Sequence, residues 1–263
     1  MVNKNIYYIS LGSFCHPKII IRETNREYAE SLPFDFNSTP NLSNISLILK
    51  ELYKNKKYDL KLKEIICSHK NNNENKDELV VSDKNNMYFI HFFDKDDLIL
   101  DEKYNDKYPK NPYLSINLEK IEIVKEKFKK RFERLLELIN NKTPLNESII
   151  CFLRVEYYEN IYWKEEIQIL SNTLALFKHP RKYLIYSQKS IDENLHFDNS
   201  RSLNYNFNSE VPIFFFKYLF DEHNIRENDS YLFLTMLSTF EYLIQLLPLG
   251  LTKDSGAQES LLG

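Results

Sequence analysis

Cys15, within "YISLGSFCHP" at residues 7–16, is the residue of this chain whose surroundings best suit nucleophilic chemistry. An apolar run precedes it, Gly12 supplies a turn, and Pro17 suits the first turn of a following helix. A thiol attacks as its thiolate, and exposed amides at a helix start favour that anion. Backbone N–H groups near Ser13 and Cys15 could also face a developing oxyanion. The competing reading is plain packing, because cysteine is among the most buried residue types.

A nucleophilic thiol needs a base. His16 adjoins Cys15, but helix neighbours point about 100° apart. His69 and His223 lie in polar surroundings, His179 precedes Pro180 in a basic turn, and His196 lies in a loop. His91 alone stands inside an apolar run, "MYFIHFF" at 87–93, read as a buried strand. An imidazole there must find a partner, either a catalytic thiol or the backbone of the core. Asp35 in "PFDF" and Asp94, three residues beyond His91, are the candidates to orient that ring. Each also reads as an ordinary turn or strand-end residue.

The elements that must position these groups follow from periodicity. Ile6 to Ser10 reads as a strand, followed by a helix that Ile19, Ile20 and Ile21 would carry into the core. Residues 31–36 read as a turn between helices, and 42–53 as a helix with Ile45, Ile48, Leu49 and Leu52 on one face. Residues 69–78, "HKNNNENKDE", read as a mobile polar loop. The clearest helix spans about 118–140, with Ile121, Val124, Phe128, Leu135 and Ile139 at helical spacing and an i,i+4 pair at Glu126 and Lys130. Residues 149–155, 182–187 and 211–219 read as apolar strands, with a helix near 164–177. Strands and helices interleave, so the expected class is α+β (mixed α/β), one domain over 1–250 with a central sheet and flanking helices.

Residues 231–251 are almost continuously apolar and long enough to span a bilayer. Glu241 at mid-segment costs about 2.5–3.5 kcal/mol on insertion scales, and Asn228-Asp229-Ser230 gives an ordinary helix start. A buried helix is therefore expected over a membrane anchor. The tail 251–263 changes composition and is expected to be disordered.

Composition narrows the function classes. Hydrophobic residues make up 43% and charged residues 28%, and the formal net charge of -3 argues against a nucleic-acid partner. The three cysteines, at 15, 67 and 151, fit free thiols in a reducing, cytoplasmic setting. No signal peptide is recognisable, and triplets such as Asn37-Ser38-Thr39 read as chance glycosylation signals. No phosphate-binding glycine loop or paired Cys-x-x-Cys occurs, and the lone Cys67-Ser68-His69 makes a zinc site improbable.

Five blocks in order, "YISLGSFCHP", "LPFDF", "FIHFF", "KFKKRFERLLELI" and "IICFLRV", resemble a family of unknown function described as putative papain-like cysteine peptidases. The resemblance covers about residues 6–156. It implies Cys15 as nucleophile, His91 as base and Asp35 as orienting acid, with no metal or organic cofactor. The family pattern is Ser-Leu-Gly-x-x-Cys, Pro-Phe-Asp-Trp and His-Asp-Phe, then an Arg-Phe-rich helix and a Phe-x-Arg strand. Here Phe36 replaces the tryptophan, a conservative change, and Phe92 replaces the aspartate after the histidine, which is not. Adjacent strand residues face opposite ways, so position 92 is not expected to share the face of His91. Arg131, Arg134 and Arg154 are the other polar residues in these blocks. Arg154 is read as a structural partner of Glu156 or Asp35, with anionic-substrate binding as the second reading.

Three functions are consistent with these residues. The first is a thiol hydrolase or acyl-transfer enzyme acting on a peptide, amide or thioester. The second is a catalytically inactive binding or scaffold protein of the same fold. The third, a sugar-nucleotide-dependent transferase, lacks a diphosphate-binding signature. Oligomeric state leaves no trace in the sequence.

Overall fold

The structure is a computed structural model that describes residues 5–12, 16–23, 31–35, 37–69, 77–89, 91–93, 95–100, 114–140, 148–156, 162–190, 210–219, 236–242 and 244. In chain order the elements are β1 (Asn5–Ser10), α1 (His16–Glu23), α2 (Leu42–Asn55), β2 (Leu62–His69), β3 (Asp77–Asp83), β4 (Tyr88–Phe89), β5 (Leu98–Leu100), β6 (Leu114–Ile116), α3 (Leu118–Asn140), β7 (Ser148–Glu156), α4 (Trp163–Ala175), β8 (Lys182–Ser190) and β9 (Ile213–Leu219). A 3-10 turn, Lys95–Asp97, precedes β5.

The centre is a four-stranded sheet in the order β1-β7-β8-β9. All its pairings are parallel. Parallel strands are covered on both faces, which is why β7 reads "SIICFLRVE" with almost no polar alternation. Successive side chains still alternate between two cores. Ile150 and Phe152 join the larger core with Phe128, Phe132 and Leu170, while Ile149, Cys151, Leu153 and Val155 join the smaller one. β2, β3 and β4 form an antiparallel sheet, and β5 and β6 pair antiparallel beside it in sequence. The class is thus α+β, with parallel and antiparallel pairing in one chain.

The helices form for local reasons. Asn41 caps α2 by accepting from the Asn44 amide at 2.9 Å, and Lys56 closes it in the left-handed region at φ 56°. α3 buries Val124, Phe128, Phe132, Leu135 and Ile139 along one stripe. Its opposite face carries the loose Glu126–Lys130 pair, at 3.9 Å.

Three expectations are corrected. The apolar run 87–93 is not one strand: β4 holds only Tyr88–Phe89, and His91 lies in a turn with its side chain exposed. The pleat argument for opposite faces at 91 and 92 therefore does not apply. The polar stretch 69–78 is trimmed at both ends, since β2 runs to His69 and β3 begins at Asp77. Of the three isoleucines in α1, Ile21 is fully buried while Ile19 is only half-buried.

Residues 236–242 and 244 are helical, and Met236, Leu237, Phe240 and Ile244 pack into the smaller core. Glu241 accepts a hydrogen bond from the Tyr8 hydroxyl of β1 at 2.9 Å, so the mid-segment acid meets the sheet. Among the described residues no helix is long and apolar enough to cross a membrane. The tail 251–263 lies outside the described residues.

Candidate active site

β1, β7, β8 and β9 share a carboxyl edge, where open parallel sheets gather their ligand sites. At that edge β1 runs into Leu11 and Gly12. Gly12 adopts φ +57°, and a Cβ there would lie 2.9 Å from the carbonyl oxygens of Phe34 and Asn37. Only glycine allows the 34–37 backbone to press so close to the strand end.

The segment 37–39 acts as a strap. The Thr39 amide donates to the Gly12 carbonyl at 2.6 Å, and its hydroxyl donates to the same oxygen at 2.8 Å. Its neighbour Ser38 makes an antiparallel bridge with Tyr88 of β4, with N–H···O distances of 3.1 and 2.7 Å. Adjacent residues therefore hold the end of β1 and the strand that leads to His91.

Arg154, near the end of β7 and 1% exposed, locks this strap to the sheet. Its Nε donates to Glu156 Oε1 at 2.7 Å, Nη1 to the Leu11 carbonyl at 3.0 Å and to Thr39 Oγ1 at 2.8 Å, and Nη2 to the Thr39 carbonyl at 2.9 Å. Burial raises the Glu156 carboxyl above its ordinary range, and the charge of Arg154 works against that rise. The fork geometry of a guanidinium suits this task, since its three nitrogens spread four donations over acceptors on three residues, whereas a lysine has a single nitrogen.

Asp35, 1% exposed, sits in the turn 33–35. Its Oδ2 accepts from the Leu32 amide at 2.8 Å and pairs with Lys18 Nζ of α1 at 3.0 Å. Burial pushes its carboxyl up; Lys18, the Leu32 amide and the charge of Arg131 pull it back. These are its partners among the described residues, and the His91 ring is not one of them. Asp35 thus fixes the first turns of α1 to the 31–35 segment through Lys18.

Arg131, 5% exposed on α3, comes up beside the same segment. Its guanidinium lies 5.2 Å from the Phe92 ring and 5.1 Å from the Phe128 ring. Phe92, half-buried, turns inward onto Phe128 with ring centroids 5.0 Å apart, while His91 beside it is exposed. One turn further along α3, Arg134 donates from Nη2 to the Ser31 carbonyl at 2.8 Å.

Cys15 and Asp94 lie outside the described residues. Cys15 is the residue directly before His16, where α1 begins. Cys151 is fully buried, and burial, with the charge of Glu241, raises its thiol well above the ordinary value. No group of three or more His, Cys, Asp or Glu able to hold a metal ion occurs among the described residues. Sequence reasoning missed Lys18, Ser38 and Thr39. Ser38 and Thr39 belong to the triplet that reads as a chance glycosylation signal, and the signal that marks them is a polar run inside the apolar block 32–49.

The structure connects the sequence blocks physically: the first and fifth meet where Arg154 bonds the Leu11 carbonyl, and the second presses on the first where Phe34 approaches Gly12. Thr39 and Ser38, just beyond the second, bond Arg154 and Tyr88, the residue before the third. The fourth reaches the third where Arg131 faces the Phe92 ring, and comes up to the second through the charge of Arg131 on Asp35 and the bond of Arg134 to the adjoining Ser31 carbonyl. No curated protein and no solved structure matches the chain. The sequence pattern of one family, described as putative papain-like cysteine peptidase (DUF1796), matches residues 6–184, well over half of the 263, and the chain belongs to that family.

Proposed function

We propose that the protein is a thiol hydrolase in which Cys15 is the nucleophile and His91 the general base. The Cys15 thiolate attacks a carbonyl carbon and forms a C–S bond. His91 gives the proton it took from the thiol to the leaving group as the C–N, C–O or C–S bond breaks. Water, deprotonated by His91, then releases the acid and restores the thiol. The substrate is a peptide, amide or thioester, and Asp35 acts by positioning α1 through Lys18.

The observation that supports this reading is the strap. Gly12 and Tyr88 are fastened to the adjacent residues Thr39 and Ser38. Cys15 follows Gly12 by three positions and His91 follows Tyr88 by three. Three residues reach at most about 10 Å, so both groups are tethered to one end of the fold. A cysteine directly ahead of a helix also has the dipole in its favour.

Iodoacetamide labelling near pH 6, read by peptide mass spectrometry, tests it. Cys15 should label at least tenfold faster than the buried Cys151, and His91→Ala should remove that advantage. Equal, slow labelling of both thiols in the wild type refutes the dyad. It would favour the second reading, a binding protein of the same fold, for which the replacement of the family's aspartate by Phe92 speaks.

A further inference from the structure

We draw no further inference here: the strongest candidate, the cluster of basic side chains His179, Arg181 and Lys182 at the amino edge of the four-stranded sheet, leaves Arg181 Nη1 buried without a hydrogen-bond partner but carries nothing, because no feature of the structure shows what would meet that charge.

Discussion

Two buried arginines in this fold should respond very unequally to the same substitution. Arg154 donates four hydrogen bonds, to Glu156, the Leu11 carbonyl and both oxygens of Thr39. Bonds to charged groups contribute about 1.5–3 kcal/mol each but are not additive, so the better guide is the cost of breaking a buried pair, about 3–5 kcal/mol. Arg154→Met removes the cation beside Glu156 and the guanidinium donors to the Leu11 carbonyl and both oxygens of Thr39. Arg131 has no partner at Nη1 and gives up its contacts with the Phe92 and Phe128 rings and a charge interaction with Asp35, which Lys18 already holds. Cation–π contacts contribute about 0.5–2 kcal/mol, and relief of an uncompensated buried charge offsets them. Arg131→Met should therefore lie within about 1 kcal/mol of the wild type.

Urea unfolding can read both, because Trp163, the single tryptophan, stacks on Phe215 at 4.5 Å and on Tyr186 at 6.1 Å. With a slope of about 3 kcal/mol/M, Arg154→Met should lower the midpoint by about 1–1.7 M and Arg131→Met by less than about 0.3 M. In a double-mutant cycle Glu156→Gln should cost much less in the Arg154→Met background than alone, since the pair is then already broken. Equal midpoints for the two arginine variants, or an Arg154→Met shift under about 0.3 M, would refute the assignment of Arg154 as the lock of the strap.

Further outcomes follow from single contacts. Gly12→Ala forces an L residue to φ +57° against two carbonyl oxygens, which should cost about 1–3 kcal/mol and slow Cys15 alkylation, read by urea unfolding and labelling together. Phe240→Ala removes a buried ring that meets Tyr8, Tyr183 and Phe214 at centroid distances of 6.2, 5.9 and 5.0 Å. It should cost about 3–5 kcal/mol, and Cys151 beneath it should begin to react with iodoacetamide. His179 accepts from the Arg181 amide at Nδ1 and meets Ser148 Oγ at Nε2, 3.2 Å in each case, and burial holds it below its ordinary value of 6.5. A depressed histidine is neutral in the fold, so stability is full above about pH 6.5 and falls as pH drops toward the folded value. That loss should vanish in His179→Gln, measured as the difference between the two urea midpoints across pH 5–8.

The secondary structure was legible wherever burial imposed a period. α3 falls on the predicted 118–140 because its stripe recurs every 3.6 residues over six turns, and β7 stands out because a strand covered on both faces has no polar alternation. The run 87–93 misled because its hydrophobicity serves two purposes. Phe89 and Phe93 are core residues, but Phe92 is turned inward from a loop, packing on Phe128 rather than pairing in a ladder. A continuous apolar run cannot by itself separate a buried strand from a strand followed by an inward-facing turn.

The site was legible in its blocks and illegible in its wiring. Arg154 with Glu156 follows from two charges flanking Val155 at the end of an apolar strand, because a buried charge needs a nearby opposite. Nothing local predicts that the same guanidinium reaches Thr39, 115 residues earlier. Nor does any periodicity show that Lys18 should claim Asp35, since the pair spans a helix and a turn from different blocks. Such long-range polar contacts are set by where the sheet brings its carboxyl ends, and a sequence encodes that only through topology.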